Sequence, residues 1–545
     1  MKSADSTDSR RSPLERRILG VVIALFLILL VVTLVRTAWL CDDAYITYRT
    51  IDNLQAGHGL TWNVGERVQP HTHPLWMLLL AFTTWITGEL YGTVIGVGIT
   101  LTLVAVAFTI RTVGFGWGGV TTLAVLCFSR SFIDFSTGGL EDPLSHCLLA
   151  VFLWLTFRPA EDLHEKSRVT ALALVVGLAL TTRMDTLLFY LPALLTLFRP
   201  SAGLRGLKPF AIGFAPFVLW ELFSVIYFGF PFPNVAYTKL GIEIPAGEVA
   251  QQGLAYLRNS FHNDPLTLSA IAAGVTLTVL RRAPRSLPIA IGTLLYLVYV
   301  VRVGGDFMSG RMVSLPLFAA ATLLGRYAAT LSWGPAMLLP DLAVFLGILA
   351  PYPTIATGAD FAPPERLLDA ADTNGIADER MVYYGATGLL SERRLEFVRK
   401  EGKPGMPAHS WAVKGLEASR KPPAVMTRST IGYFSYFAGP KVYVVDANAL
   451  TDPLLARIPR LIEHKTRNER TWRIGHFTRK LPKGYVQTLK TGGDKFAHRG
   501  LAEYYAVLQR VVTGPLFTAE RWRAIWKLNT GQHDHLIDAY VESLD

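Results

Sequence analysis

Apolar runs recur along the first 350 residues, and they restrict the possible folds more than any other feature. The first covers 18–40. Others follow at about 74–88, 91–110, 116–128, 144–157, 169–182, 186–198, 209–228, 266–280, 287–303, 313–325 and 334–350. A run of ~20 apolar residues spans a bilayer as a helix, and the shorter runs need their polar flanks to complete a crossing. Only 17% of the 545 residues are charged and 51% are hydrophobic, whereas soluble domains carry about 25% charge. A polytopic α-helical membrane protein with a soluble part attached is therefore expected. The net charge of +11 resides largely in short loops between apolar runs, so it reads as an orientation signal rather than as nucleic-acid binding. Cys41, Cys127 and Cys147 are too few for a disulfide framework.

Loop charge then orders the runs. Arg10, Arg11, Arg16 and Arg17 precede the first one and hold the N-terminus in the cytoplasm. That run exceeds a signal-peptide core and lacks an A-x-A-like site, so a retained helix is expected. If all twelve runs crossed, the acid-free loops 199–208 and 281–285 would lie outside, against the positive-inside rule. Laying 74–90 on the membrane surface, with Trp76 and Trp85 at the interface, repairs every later loop. Eleven transmembrane helices result. The expected organisation is a cytoplasmic tail at 1–17, a membrane domain at 18–350 and an extracytoplasmic α/β domain at 351–545. In the last of these, 424–426, 431–437 and 441–445 read as strands, and 502–512 and 521–528 as helices.

Acids, histidines, prolines and glycine pairs collect in the loops placed outside. Asp42-Asp43 follows the first run, with Tyr45, Arg49 and Asn53 at helical spacing behind it. A carboxylate there could accept a proton from a sugar hydroxyl; it could also hold a cation, or be a solvated helix flank. His71-Thr72-His73-Pro74 has no further metal ligand at suitable spacing. A histidine bonded to phosphate or sugar fits better, and a polar turn also accounts for it. In Ser136-Thr137-Gly138-Gly139-Leu140-Glu141-Asp142 the acids could simply cap the next helix. Arg183-Met184-Asp185 interrupts two apolar runs, as an internal ion pair or as a ligand-facing arginine. Lys239 ends the aromatic and proline-rich stretch 227–239 and could neutralise a lipid phosphate. In Arg302-Val303-Gly304-Gly305-Asp306-Phe307-Met308-Ser309-Gly310-Arg311 the glycines allow close backbone approach. The two arginines there could clamp a phosphate, or the string could be a tight turn with a structural Asp–Arg pair.

In order, these strings are Asp-Asp after the first helix, Gly65-Glu66-Arg67-Val68, Ser-Thr-Gly-Gly-Leu-Glu, Arg-x-Asp, Pro233-Asn234-Val235-Ala236-Tyr237-Thr238-Lys239 and Gly-Gly-Asp-Phe-Met-x-Gly-Arg. The set resembles the GT-C glycosyltransferases, in particular the bacterial arabinofuranosyltransferases that use polyprenyl-phosphate donors. The likeness extends more weakly to 445–454 and to Arg473-Ile474-Gly475-His476. It implies a decaprenyl-phosphate arabinofuranose donor, an arabinan acceptor, cell-wall biogenesis and an outer domain resembling a carbohydrate-binding module. It implies Asp42 or Asp43 as the catalytic carboxylate, Asp42 first. It also implies His73, Glu141, Arg183, Asp185, Lys239, Arg302, Asp306 and Arg311 around the donor. No organic cofactor is expected; a divalent cation is compatible. His71-Thr72-His73 and Arg-Met-Asp depart from the family pattern and put the sugar and acceptor, not the reaction class, in question. Another sugar, a pilin or flagellar protein acceptor, a lipid-sugar flippase and a non-catalytic envelope protein are the alternatives.

Overall fold

A computed structural model describes residues 12–159, 164–198, 203–240, 244–358, 361, 370–459 and 473–544. Arg10, Arg11 and parts of the basic loops expected at 158–168 and 199–208 lie outside the described residues. The chain forms two compact units, each assembled from separated segments. One comprises Met1–Leu40, Tyr91–Phe217 and Ala246–Pro404, the other Cys41–Leu90, Val218–Pro245 and Gly405–Asp545.

The first unit is helical. Its opening helix, Pro13–Thr37, starts in a capping box made by Ser12 and Glu15, with Pro13 at the first position. Leu14, Ile18, Val21, Leu25, Ile28 and Val32 line an exposed stripe on it, while Leu19, Ile23, Leu30 and Leu34 are buried. That division suits a helix with one face in hydrocarbon and one on its neighbours. Pro13–Thr37 and Tyr91–Val113 are each long and apolar enough to cross a membrane, and up to four segments qualify if each bent pair is one span. Other expected spans form apolar helices of 10–17 residues, among them Trp117–Phe128, Asp142–Phe157, Leu287–Arg302 and Trp333–Ile348. Among the described residues, then, two helices, or up to four segments, are long and apolar enough by themselves, and the remaining expected crossings are shorter helices. Small residues let helices meet closely. A Cβ on Gly325 would lie 2.8 Å from the Gly118 carbonyl and 2.2 Å from Thr122 Oγ1, so Ser314–Ala328 and Trp117–Phe128 approach backbone to backbone. The stretch 246–263, expected within a loop, is an amphipathic helix that turns through 110° into Pro265–Arg281.

The expected boundary at 351 is displaced. Residues up to Pro404 cluster with the first unit. Arg380 Nε lies 2.7 Å from Asp134, and Arg130 pairs with both Asp134 and Asp378. Thr387 Oγ1 donates to the Leu40 carbonyl, and Tyr91 OH to the Thr387 carbonyl. Buried charges need partners, and Asp378 and Arg380 lie far in sequence from Arg130 and Asp134.

The second unit centres on two parallel strands, Ala424–Arg428 and Val442–Asp446, joined by the helix Gly432–Ala438. The expected strand at 431–437 is this helix. Its aromatic residues favour strands, but the Asp42 carboxylate accepts from its first N–H groups (Gly432 at 3.1 Å, Tyr433 at 2.7 Å) and so caps it. Helices Arg499–Thr513 and Ala519–Asn529 match expectation. Leu501, Leu508 and Val511 build a core there with Val445, Leu454 and Tyr485. Helix Ala44–Gln55 does put Tyr45, Arg49 and Asn53 together, all buried. Pro74–Thr87 carries an exposed apolar face of Leu78, Phe82, Trp85 and Ile86, but Trp76 is buried rather than interfacial.

Candidate active site

The candidate residues divide between the units. Asp42, Asp43, His73 and Lys239 belong to the second, and the other six to the first.

In the second unit, Asp42 and Asp43 leave the turn that opens helix Ala44–Gln55. The Asp42 carboxyl is buried, and both its oxygens are engaged by the Gly432 and Tyr433 amides. Burial raises its pKa from the usual carboxylate range to about 7. The Tyr433 amide opposes that rise and the neighbouring Asp43 charge adds to it. The fit around it is tight, because a Cβ on Gly432 would lie 1.8 Å from the Asp42 carbonyl oxygen. The Tyr45 and Tyr433 rings meet edge to face at 4.8 Å beside it.

Asp43 is placed differently. Its side chain is 28% accessible, and His476 Nε2 lies 3.7 Å from its Oδ2. The turn carrying His476 has Gly475 at φ +78°, and a Cβ there would fall 2.8 Å from Lys239 Cε and 3.2 Å from Nζ. Lys239 thus lies across the glycine, whose positive φ also suits a residue without a side chain. The Arg473 charge reaches Asp42. Asp43 is therefore an accessible carboxylate beside His476, on a turn that Lys239 also covers. His73 sits one helical turn along: its Nε2 is 2.8 Å from Thr47 Oγ1. Burial, then neighbouring His73, lowers the His71 pKa to about 3 and keeps that ring neutral.

Other motif residues hold the fold. Asn234 Nδ2 donates to the carbonyls of Ala449, Leu450 and Asp452 at 3.1 Å each, fixing the 449–452 turn. Glu66 accepts from Tyr443 OH at 2.8 Å, and Arg67 Nε donates to the Tyr227 carbonyl at 3.2 Å. Arg49 donates to the Trp62, Ser435 and Val442 carbonyls.

In the first unit six charged side chains meet. Arg183 forms a two-pronged pair with Asp185 at 3.1 and 2.7 Å and lies 3.6 Å from Glu141. Arg311 reaches Glu141 at 3.0 Å, Asp306 at 3.4 Å and Asp142 at 3.6 Å. Tyr296 OH donates to Asp185 at 3.0 Å. Two arginines thus face four carboxylates, so the guanidinium charges are already balanced within the protein. A phosphate clamp would instead present net positive charge. Arg302 is exposed at the end of helix Leu287–Arg302.

The sequence reading did not single out Gly432 or Tyr433, which lie some 390 residues from Asp42, and no local signal marks them. Arg473 and His476 had a faint one, the Arg-x-Gly-His string.

No family model matches the chain. It is 26% identical over 518 residues, covering 80% of each chain, to a terminal β-(1→2)-arabinofuranosyltransferase of Mycobacterium tuberculosis. It is 28% identical over 326 residues to the protein of the same description in Corynebacterium glutamicum, covering 52% of this chain and 47% of that one. Among solved structures, ArnT of Cupriavidus metallidurans bound to undecaprenyl phosphate superposes with a TM-score of 0.50 at 14% identity, covering 79% of this chain and 86% of that one. The structural likeness gives the fold, that of GT-C membrane proteins. Together with the curated relatives, it supports a glycosyltransferase.

Proposed function

We propose that this glycosyltransferase moves a sugar, arabinofuranose before others, from a polyprenyl-phosphate donor to a glycan acceptor of the cell envelope. The reaction would take place on the outer side of a bacterial cytoplasmic membrane. The reading draws its sugar and linkage from the curated arabinofuranosyltransferases. Its lipid donor draws on the undecaprenyl phosphate bound to ArnT.

The observation that carries it is the contrast between the two aspartates. Asp42 has both oxygens committed to backbone amides, whereas Asp43 is accessible and has His476 beside it. Asp43 is therefore the carboxylate that can receive a proton from an acceptor hydroxyl. Asp42 becomes a positioning residue that fixes the turn carrying Asp43. Lys239 and His476 supply donors for the negative charge that grows on the phosphate as the sugar leaves. A β-linked donor giving a β-(1→2) product requires retention, so a single in-line displacement does not serve that stereochemistry.

The test is transfer by the purified protein from a panel of synthetic polyprenyl-phosphate sugars, arabinofuranose first. Asp43→Asn is expected to lower kcat by at least about 100-fold with unchanged thermal unfolding in detergent. Near-normal turnover by that variant would remove Asp43 from the chemistry. Inactivity of the native protein with every donor would leave a non-catalytic envelope role as the better reading.

A further inference from the structure

A second polar feature lies in the first unit, at the far end of the helices that meet the Glu141–Arg183–Arg311 cluster. Helix Asp142–Phe157 begins at that cluster, Glu165–Thr182 ends there, and Leu287–Arg302 contributes Tyr296 from its second half. A helix of sixteen residues is ~24 Å long, so the other ends of these helices form a separate level of the bundle. At that level is a cavity of about 230 Å³, lined by Thr156, Glu165, Arg168, Leu197, Arg285 and Pro288 among others.

Three observations give the cavity its chemistry. Arg168 is held in place by an Nη2 bond to the Thr156 carbonyl at 2.6 Å, while its Nε is buried without an acceptor among the described residues. Arg285 is near enough for the two like charges to repel, and it also acts on Arg326. Among the described residues the lining carries two guanidiniums and one carboxylate, Glu165, and neighbouring guanidiniums favour a shared anion. Finally, helices Leu187–Leu197 and Leu287–Arg302, which contribute Thr196, Leu197 and Pro288 to the lining, also expose Leu195 and Ile291 on their surfaces. Charge and exposed hydrocarbon side by side at a helix end match a lipid headgroup better than a soluble anion.

We propose that this cavity binds the phosphate of an anionic phospholipid between Arg168 and Arg285, with its acyl chains along the face of Leu195 and Ile291. The site needs only the membrane fold, so it stands or falls separately from the transferase reading.

The full-length protein is delipidated and placed in phosphatidylcholine nanodiscs with or without phosphatidylglycerol. Retained lipid is then measured by native mass spectrometry, and thermal unfolding is followed in parallel. Phosphatidylglycerol should be retained in preference to phosphatidylcholine. The double substitution Arg168→Ala, Arg285→Ala should weaken its retention by roughly 30-fold. Thr196→Trp, which fills the cavity and leaves both arginines in place, should have a comparable effect and decides the matter if the double variant does not fold. Three results would each overturn the proposal: equal retention of the two lipids, unchanged retention in the substituted proteins, or protection by inorganic phosphate equal to that by phosphatidylglycerol.

Discussion

At Asp42, one carboxyl group serves as the cap of a helix that begins 390 residues later. Its pKa near 7 in the folded chain compares with 3.8 for an unperturbed aspartate. Between those values the folded state keeps a proton that the unfolded chain has released, so stability falls as pH rises from about 4 to about 7. Asp446 and Asp452 are buried as well, with values near 6 and 7, and act in the same direction. Asp42→Asn removes one part of that slope and leaves one amide without its acceptor, at a cost of about 1–3 kcal/mol. The variant should therefore melt well below the native protein at pH 5 and closer to it at pH 8. Because Asn still offers one oxygen, measurable transfer should survive, in contrast to Asp43→Asn. A complete loss of turnover by a well-folded Asp42→Asn protein would return the chemistry to Asp42. Gly432→Ala is expected to destabilise by about 2–3 kcal/mol, since its methyl would overlap the Asp42 carbonyl; a melting curve like the native one would contradict the cap.

At the scale of elements, two effects compete with local propensity. The segment Gly432–Ala438 has strand-like residues and is a helix, because its N-terminal amides find a distant carboxylate. The same competition left Arg-Met-Asp readable in two ways, as an internal pair or as a ligand-facing arginine. The two-pronged Arg183–Asp185 contact realises the first. Helix contacts in the first unit rest on small residues, so bulk there should act strongly. Gly325→Leu would drive side-chain atoms into Thr122 and the Gly118 carbonyl. It should lower the yield of folded protein and destabilise it by about 3 kcal/mol, seen as a lower temperature of thermal unfolding. The same change at Gly493, which has open space around a Cβ, should do neither.

The whole molecule is interleaved rather than serial. The second unit needs 41–90 and 218–245 as well as 405–545. Its strand Val442–Asp446 receives Arg49 and Asn63 from the first of these segments. A chain ending at Pro404 should therefore leave Ala44–Gln55 and its neighbours without a core, and limited proteolysis should cut within 41–90. Protection of that stretch in the truncated chain, equal to that in the full one, would show that the C-terminal part is an independent appendage. The compositional boundary at 351 had suggested such an appendage, and composition reports solvation rather than contacts.

The sequence by itself determined the membrane character, because apolar run length and loop charge are local and additive along the chain. It also pointed to a shared helical face for Tyr45, Arg49 and Asn53, to strands at 424–426 and 441–445 beside a third at 431–437 that is a helix, and to the family likeness carried by ordered motifs. Only the tertiary structure decided which charges are already paired. Arg183 and Arg311 looked available to a phosphate, and four carboxylates from three separate segments balance them. It alone separated Asp42 from Asp43, identical neighbours in sequence. Two backbone amides bury the first, and the second keeps its access to solvent and to His476. The physical reason is common to both cases: the fate of a charge depends on partners brought by folding, and pairing across hundreds of residues leaves no local trace.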